Sequence, residues 1–167
     1  MITDGEEAGG CMEIQRARPE DAPIVRRIAL DAYQPYIRRI GRKPAPMLAD
    51  YAALVAAGKL WIRSEIAEIV GYIVLEATED ALVVENVAVH PERHGEGHGR
   101  ALLDFAEREA RRRGLPRLAL YTNAKMSENI GLYLALGWRE TERRHEAGFD
   151  RVFFEKPAPG LASSSNP

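Results

Sequence analysis

A β-branched run that stops at a proline, then glycines at alternate positions, then an amphipathic helix constrains this chain more than any other stretch. Glu85-Asn86-Val87-Ala88-Val89-His90-Pro91 reads as a strand and its stop. Gly95, Gly97 and Gly99 follow, leading into a helix with Ala101, Leu102, Phe105, Ala106 and Ala110 on its inner face. The connection has to be tight, and glycine permits both positive φ and close approach of another group. The first N–H groups of a helix have no carbonyl partner within it, and the helix dipole places partial positive charge there. Such a loop suits an anion, above all a phosphate.

Spacing excludes two common phosphate loops. A P-loop needs Lys-Ser or Lys-Thr after its last glycine, whereas Arg100-Ala101 follows Gly99. A dinucleotide fingerprint needs a third glycine where Arg100 stands, and no acidic residue ends a following strand to hold a ribose. His94-Gly95-Glu96-Gly97-His98-Gly99 instead resembles the acyl-CoA loop (Gln/Arg)-x-x-G-x-(G/A) of the GNAT superfamily of N-acetyltransferases, with His94 in place of the usual Gln or Arg. A tight strand-to-helix turn would explain such a loop alone nearly as well. A second stretch, Asn123 to Trp138, resembles the family's later signature N-x-x-(A/G)-x-x-(L/F)-Y-x-x-x-G-(F/Y/W), with Asn129, Gly131, Tyr133, Gly137 and Trp138 in register. As a pattern of elements the resemblance runs from about Glu13 to Lys156; it is specific across these two stretches.

The remaining elements follow from periodicity and punctuation. Met12 to Ala17 alternates as a strand. Pro19 stands at the start of a helix with Ile24, Val25, Ile28, Ala29 and Ala32 as its stripe. A short helix is expected from about Met47 to Ala57, then strands over Leu60–Ile66, Ile69–Ala77 and Leu82–His90. The helix after the glycine loop stops at Gly114 with Pro116 beyond. A strand over Arg117–Thr122, a helix capped by Ser127 and running to Gly137, and a terminal antiparallel pair over Trp138–Arg144 and Arg151–Lys156 complete the series. Periodicity licenses an α+β class with one sheet. The resemblance implies the finer form: a GNAT-like mixed, mostly antiparallel central sheet of about seven strands flanked by about four helices.

A chain of 167 residues suits one domain, expected over residues 12–156, with disordered tails over 1–11 and 157–167. The net charge of −2 provides no basic field for nucleic acid. The single Cys11 forms no internal disulfide and fits a reducing cytoplasm; in its polar lead segment it is a poor nucleophile. No apolar run reaches bilayer length and the acidic N-terminus lacks the plan of a signal peptide, so a cytoplasmic location without membrane contact is expected. His90, His94 and His98 recur at steps of four, but Pro91 and the glycines break any continuous helix and no further ligand completes a set. No metal is expected.

The resemblance implies acetyl-CoA as cosubstrate and an amine acceptor, joined by direct attack in one ternary complex. The amides of Gly95, Glu96, Gly97, His98, Gly99 and Arg100 would hold the pyrophosphate, and a backbone N–H near Val87, Ala88 or Val89 the thioester oxygen. Glu85 interrupts an apolar strand just before the loop, where burial would raise its pKa and suit it to act as base; the alternative is an edge carboxylate paired with a basic neighbour. Tyr133, at the family's tyrosine position, would protonate the departing thiolate, or else pack in the core beside Ile130 and Leu134. Asn129 resembles the asparagine that hydrogen-bonds pantetheine. Asn123 could serve pantetheine or substrate, or simply the turn. Tyr33, Tyr36 and His145 are the acceptor-side candidates, His145 being expected in the loop between the last strands. A homodimer paired through the strand-rich C-terminus is compatible with the sequence. A catalytically silent acyl-CoA sensor and a tRNA- or protein-directed modifier are the competing readings.

Overall fold

The computed structural model describes residues 13–158. One seven-stranded sheet runs in the order β1-β2-β3-β4-β5-β7-β6. The strands are β1 Glu13–Arg16, β2 Leu60–Glu65, β3 Glu68–Ala77, β4 Ala81–Val89, β5 Arg117–Asn123, β6 Arg139–Glu146 and β7 Phe149–Pro157. Every neighbouring pair is antiparallel except β4 and β5. The helices are α1 Ala22–Tyr33, α2 Ile37–Ile40 (a single turn), α3 Tyr51–Ala56, α4 His98–Arg112 and α5 Ser127–Ala135. This is the expected α+β order and the expected mixed sheet, with the extra turn α2 between the first two expected helices.

The sheet separates two apolar layers. On one face α1 and α3 bring Val25, Ile28, Ala29, Tyr51 and Val55 against Ile62, Tyr72, Val74 and Ala88. On the other, Leu102, Leu103, Ala106 and Ala110 of α4 pack on Ile73, Leu75, Leu82, Val84, Leu118 and Leu120, with Tyr133, Trp138 and Phe154 closing the far end. Burying side chains of this size contributes about 1.5–3 kcal/mol each, which is what holds these helices, several of them too short to be stable alone, on the sheet. At Gly71 β3 passes so near its neighbours that a Cβ would sit 2.9 Å from the Ala88 carbonyl of β4 and 3.2 Å from Leu102 Cδ1 of α4.

Several expectations are corrected locally. Pro19–Asp21 is a 3-10 turn, its Arg18 N–H donating to Asp21 Oδ2 at 2.7 Å, and α1 starts at Ala22. Ile24 is 48% exposed, and Ala22 takes its place on the buried stripe. α3 starts only at Tyr51, because Asp50 caps it by accepting from the Ala53 N–H. The N-cap of α5 is Met126, with Ser127 already inside the helix. Residues 1–12 and 159–167, which hold nearly all of the two expected tails, lie outside the described residues. Pro157 ends β7 and Ala158 is buried, its N–H donating to the Pro116 carbonyl at 3.1 Å. Among the described residues no helix is long and apolar enough to cross a membrane.

Candidate active site

Two irregularities in β4 open the site. The register between β3 and β4 passes from Leu75↔Val84 to Val74↔Asn86, which leaves Glu85 as the extra residue of a β-bulge. The bulge reverses the alternation: Leu82 and Val84 face the α4 layer, whereas Ala88 faces the α1 layer. At the same point β4 parts from β5, since their parallel pairing ends at Val84↔Leu120. β4 continues beside β3 to Val89, and β5 continues beside β7 to Asn123. The strands therefore diverge into a cleft.

The polarity of the cleft edge follows from one hydrogen bond. His90 N–H donates to the Val70 carbonyl at 2.7 Å. Alternation along an antiparallel pair then turns the backbone groups of Asn86 and Ala88 toward β3 as well, and those of Val87 and Val89 into the cleft. Both free carbonyls find side chains: Tyr33 Oη donates to Val87 O at 3.1 Å, and His94 Nε2 lies 3.0 Å from Val89 O. Of the three amides expected to serve an oxyanion, that of Ala88 is thus committed to the sheet.

A cavity of about 310 Å³ fills the divergence. Tyr33, Glu85, Asn86, Val87, Asn123, Asn129 and Tyr133 line it, together with Pro44, Pro46, Tyr121, Phe149 and Arg151. Glu85 is exposed rather than buried, so it does not have the desolvated setting expected of it. Its Oε2 accepts from Tyr121 Oη at 3.3 Å, and among the described residues no basic side chain pairs with it. Tyr133 is 7% exposed, packed edge-on against Trp138 and tilted against Phe154. Burial pushes its phenol up to about 12, and among the described residues that phenol has no hydrogen-bond partner. Asn123 Oδ1 accepts from Lys125 N–H at 2.9 Å, the turn role left open above, and Asn129 Nδ2 points to Met126 Sδ at 3.5 Å.

Beneath the cavity lies a polar network that periodicity does not reveal. Asn86 Oδ1 accepts from Tyr72 Oη at 3.0 Å and lies 3.3 Å from Tyr33 Oη, while Asn86 Nδ2 donates to Tyr51 Oη at 2.9 Å. Tyr51 in turn donates to the Pro46 carbonyl, fastening the acceptor-side loop to the sheet. Burial raises the pKa of Tyr33, Tyr51 and Tyr72, so all three stay protonated donors. An asparagine inside an apolar strand was the available signal, and its meaning depends on the bulge that turns it inward.

The glycine loop lies at the end of β4. Gly95 and Gly97 have φ of +80° and +85°, and Gly97 is the N-cap of α4 without a side-chain acceptor. The first bond of the helix runs from Ala101 N–H to Gly97 O, so the amides of His98, Gly99 and Arg100 have no carbonyl within it. The His98 side chain turns inward: it is 2% exposed and its Nδ1 accepts from Arg63 Nε at 2.9 Å. Burial, then the Arg63 charge, lowers its pKa and keeps it neutral. Arg93 ties the loop to the β2–β3 hairpin through Glu65 and Glu68 and pairs with Glu96 within the loop. The three histidines diverge, because His90 Nδ1 accepts from Glu92 N–H and the other two have the partners given above. Arg100 lines a recess between α4 and α5 with Asp104, Trp138 and Lys156.

On the acceptor side, Tyr33 lines the cavity and Tyr36 does not; Tyr36 packs on Tyr33 at 6.4 Å and under Arg39. His145 lies within β6, not in a loop, and pairs with Asp150 at 2.9 Å outside the cavity. Two contacts clasp the α1–α3 connection over the cleft. Arg39 pairs with Glu128 of α5, and the Arg42 guanidinium stacks 4.2 Å from the Phe149 ring.

A strand parted from its parallel neighbour at a bulge thus stands beside a glycine-led helix N-terminus. The model of the Acetyltransferase (GNAT) family matches residues 24–138, and the chain belongs to that family. Solved structures share the fold. The ribosomal-protein-S18-alanine N-acetyltransferase of Escherichia coli is 20% identical, with 92% of this chain and 97% of that one covered at a TM-score of 0.70. The paia N-acetyltransferase of Thermoplasma acidophilum, in complex with coenzyme A, is 17% identical over 87% and 98% at 0.72. The yncA protein of Salmonella typhimurium, solved with its cofactor acetyl-CoA, is 20% identical over 93% and 99% at 0.68. No curated protein matches the chain.

Proposed function

We propose that the protein transfers an acetyl group from acetyl-CoA to a primary amine in a single ternary complex. The observation that carries this reading is that Glu85, on the bulge, and the unpartnered Tyr133 phenol line one cavity between the parted strands. The uncapped amides of His98, Gly99 and Arg100, with Gly97 approaching without a side chain, hold the pyrophosphate. Asn129 and Asn123, which line the same cavity, would bond the pantetheine arm. Acetyl-CoA supplies an activated thioester, so a C–N bond forms as the C–S bond breaks and one proton passes, net, from the amine nitrogen to the sulfur.

The side chains divide the proton work. A primary ammonium has to lose a proton before attack, and Glu85, open to water in the cleft, accepts it. The cleft-facing N–H of Val87 or Val89 stabilises charge on the thioester oxygen; in other enzymes such a donor is worth about 3–4 kcal/mol. Tyr133 donates its proton to the leaving sulfur, and burial keeps that proton in place until then. His94 differs from the Gln or Arg of the motif, and its ring is engaged by the Val89 carbonyl, so binding at the loop rests on backbone amides.

Calorimetric titration with acetyl-CoA and CoA, with NAD and ATP as controls, tests the donor site. Saturable binding of the first two alone is expected, followed by thiol release on adding amines. Absence of CoA binding would return the glycine loop to a tight turn. Binding without turnover of any amine would favour the silent sensor.

A further inference from the structure

Arg151 is the basic side chain that lines the cavity among the described residues, and the chemistry above does not use it. It lies on β7 opposite Asn123, its side chain 12% exposed. Stacking holds the guanidinium in place, with its Cζ 4.4 Å from the Tyr121 ring centre and 5.8 Å from that of Phe149. Its one polar contact among the described residues is a 3.6 Å approach to Glu146, whose carboxylate is also bonded by Arg144 Nε at 3.0 Å. A guanidinium carries five donors in a rigid fork that matches a carboxylate two-by-two. Here stacking holds the fork, it is mostly buried, and its Glu146 partner stands off at 3.6 Å, which leaves donors available to a ligand that enters the cavity.

The opposite charge stands across the same ring. Tyr121 offers one face to Arg151 and its hydroxyl to Glu85. Glu76 also reaches the cavity, but Lys59 neutralises it at 2.5 Å. What remains is one cation and one anion on either side of Tyr121, with Pro44, Pro46, Ala49, Leu54 and Phe149 as apolar wall. We propose that the acceptor is a small apolar amino acid, its amine presented to Glu85 and its carboxylate bound by Arg151. The cavity volume, near the lower end of small-molecule pockets and shared with the incoming acetyl group, suits one residue. The amino terminus of a peptide has an amide where this site requires a carboxylate.

This inference rests on the acetyltransferase reading, and one experiment separates the two. Thiol release by the full chain would be followed with leucine, methionine and phenylalanine, with their primary amides, with the matched decarboxylated amines, and with tripeptides beginning with the same residues. The free amino acids should exceed every matched analogue by at least about tenfold in kcat/KM, the effect of one charge-assisted hydrogen bond. Arg151→Gln should erase that preference through KM, with acetyl-CoA titration unchanged, and Arg151→Lys should restore part of it. Equal or better use of amides, amines or tripeptides overturns the proposal, as does refusal of all the amino acids by a protein that binds acetyl-CoA. Failure to bind acetyl-CoA overturns the reading beneath it.

Discussion

Glu85 and Tyr133 occupy one cavity in contrasting states. Glu85 is exposed and bonded by Tyr121, so the proposed role as base rests on its position on the bulge rather than on a buried setting. Tyr133 is buried with its pKa at about 12, so it is a donor across the working pH range. Removing either should leave a kinetic trace. Tyr133→Phe deletes one oxygen and keeps the packing against Trp138 and Phe154. It should lower kcat by about 10²-fold, in the range of general acid–base contributions, with acetyl-CoA affinity nearly unchanged. Unaltered kcat in steady-state assays would remove Tyr133 from the chemistry. Glu85→Gln should lower kcat by a similar factor with acetyl-CoA affinity nearly unchanged. An unchanged kcat with a raised KM for the amine would reassign Glu85 to substrate positioning.

At the scale of elements, the strand–glycine–helix unit was readable because its signals are local: a β-branched run, Pro91, and glycines at φ-demanding positions. The terminal strand pair and the stop at Gly114 were readable for the same reason. What escaped reading depends on partners distant in sequence. The bulge at Glu85 exists only in register with Leu75 and Val74, and it turns Asn86 into the buried hub of three tyrosines. The inward turn of His98 is set by Arg63 on β2, and the role of Arg151 by stacking on Tyr121. Gly71 belongs with these: inside an apolar run it looks unremarkable, yet it lets β3 approach α4. Gly71→Ala should clash with the Ala88 carbonyl and with Leu102, destabilising by about 1–3 kcal/mol. Because the clash pushes α4 from the sheet, acetyl-CoA binding should weaken together with Tm. Chemical denaturation and calorimetry on one preparation would check both, and a variant with unchanged midpoint would show that β3 and α4 have slack there.

For the molecule as a whole, the titrating groups predict a two-stage loss of stability on acidification. His98 is held neutral by burial and by Arg63, with Arg93 opposing its protonation and Glu96 favouring it; its folded pKa is therefore below the ordinary 6.5. A depressed pKa means that the unfolded chain binds the proton first, so stability is complete above about 6.5 and falls as pH drops toward the folded value. Glu96, Glu109, Glu128 and Glu140 are depressed as well, each first by its arginine hydrogen bond, with Glu128 at about 2. Their contribution is present above about 4.5, their ordinary value, and is lost below it. Glu96 and Glu128 are exposed and Glu140 is half-buried, so their part of the second stage should be shallow and weakened by salt, whereas Glu109 is buried and the buried His98 should set the first stage. Thermal unfolding followed from pH 8 to pH 4 should show Tm declining from about pH 6.5 downward. His98→Gln, which leaves a neutral amide facing Arg63, should remove that upper decline and spare the lower one. If the variant declines as wild type does between pH 6.5 and pH 5, the stability of the loop and of α4 does not depend on His98.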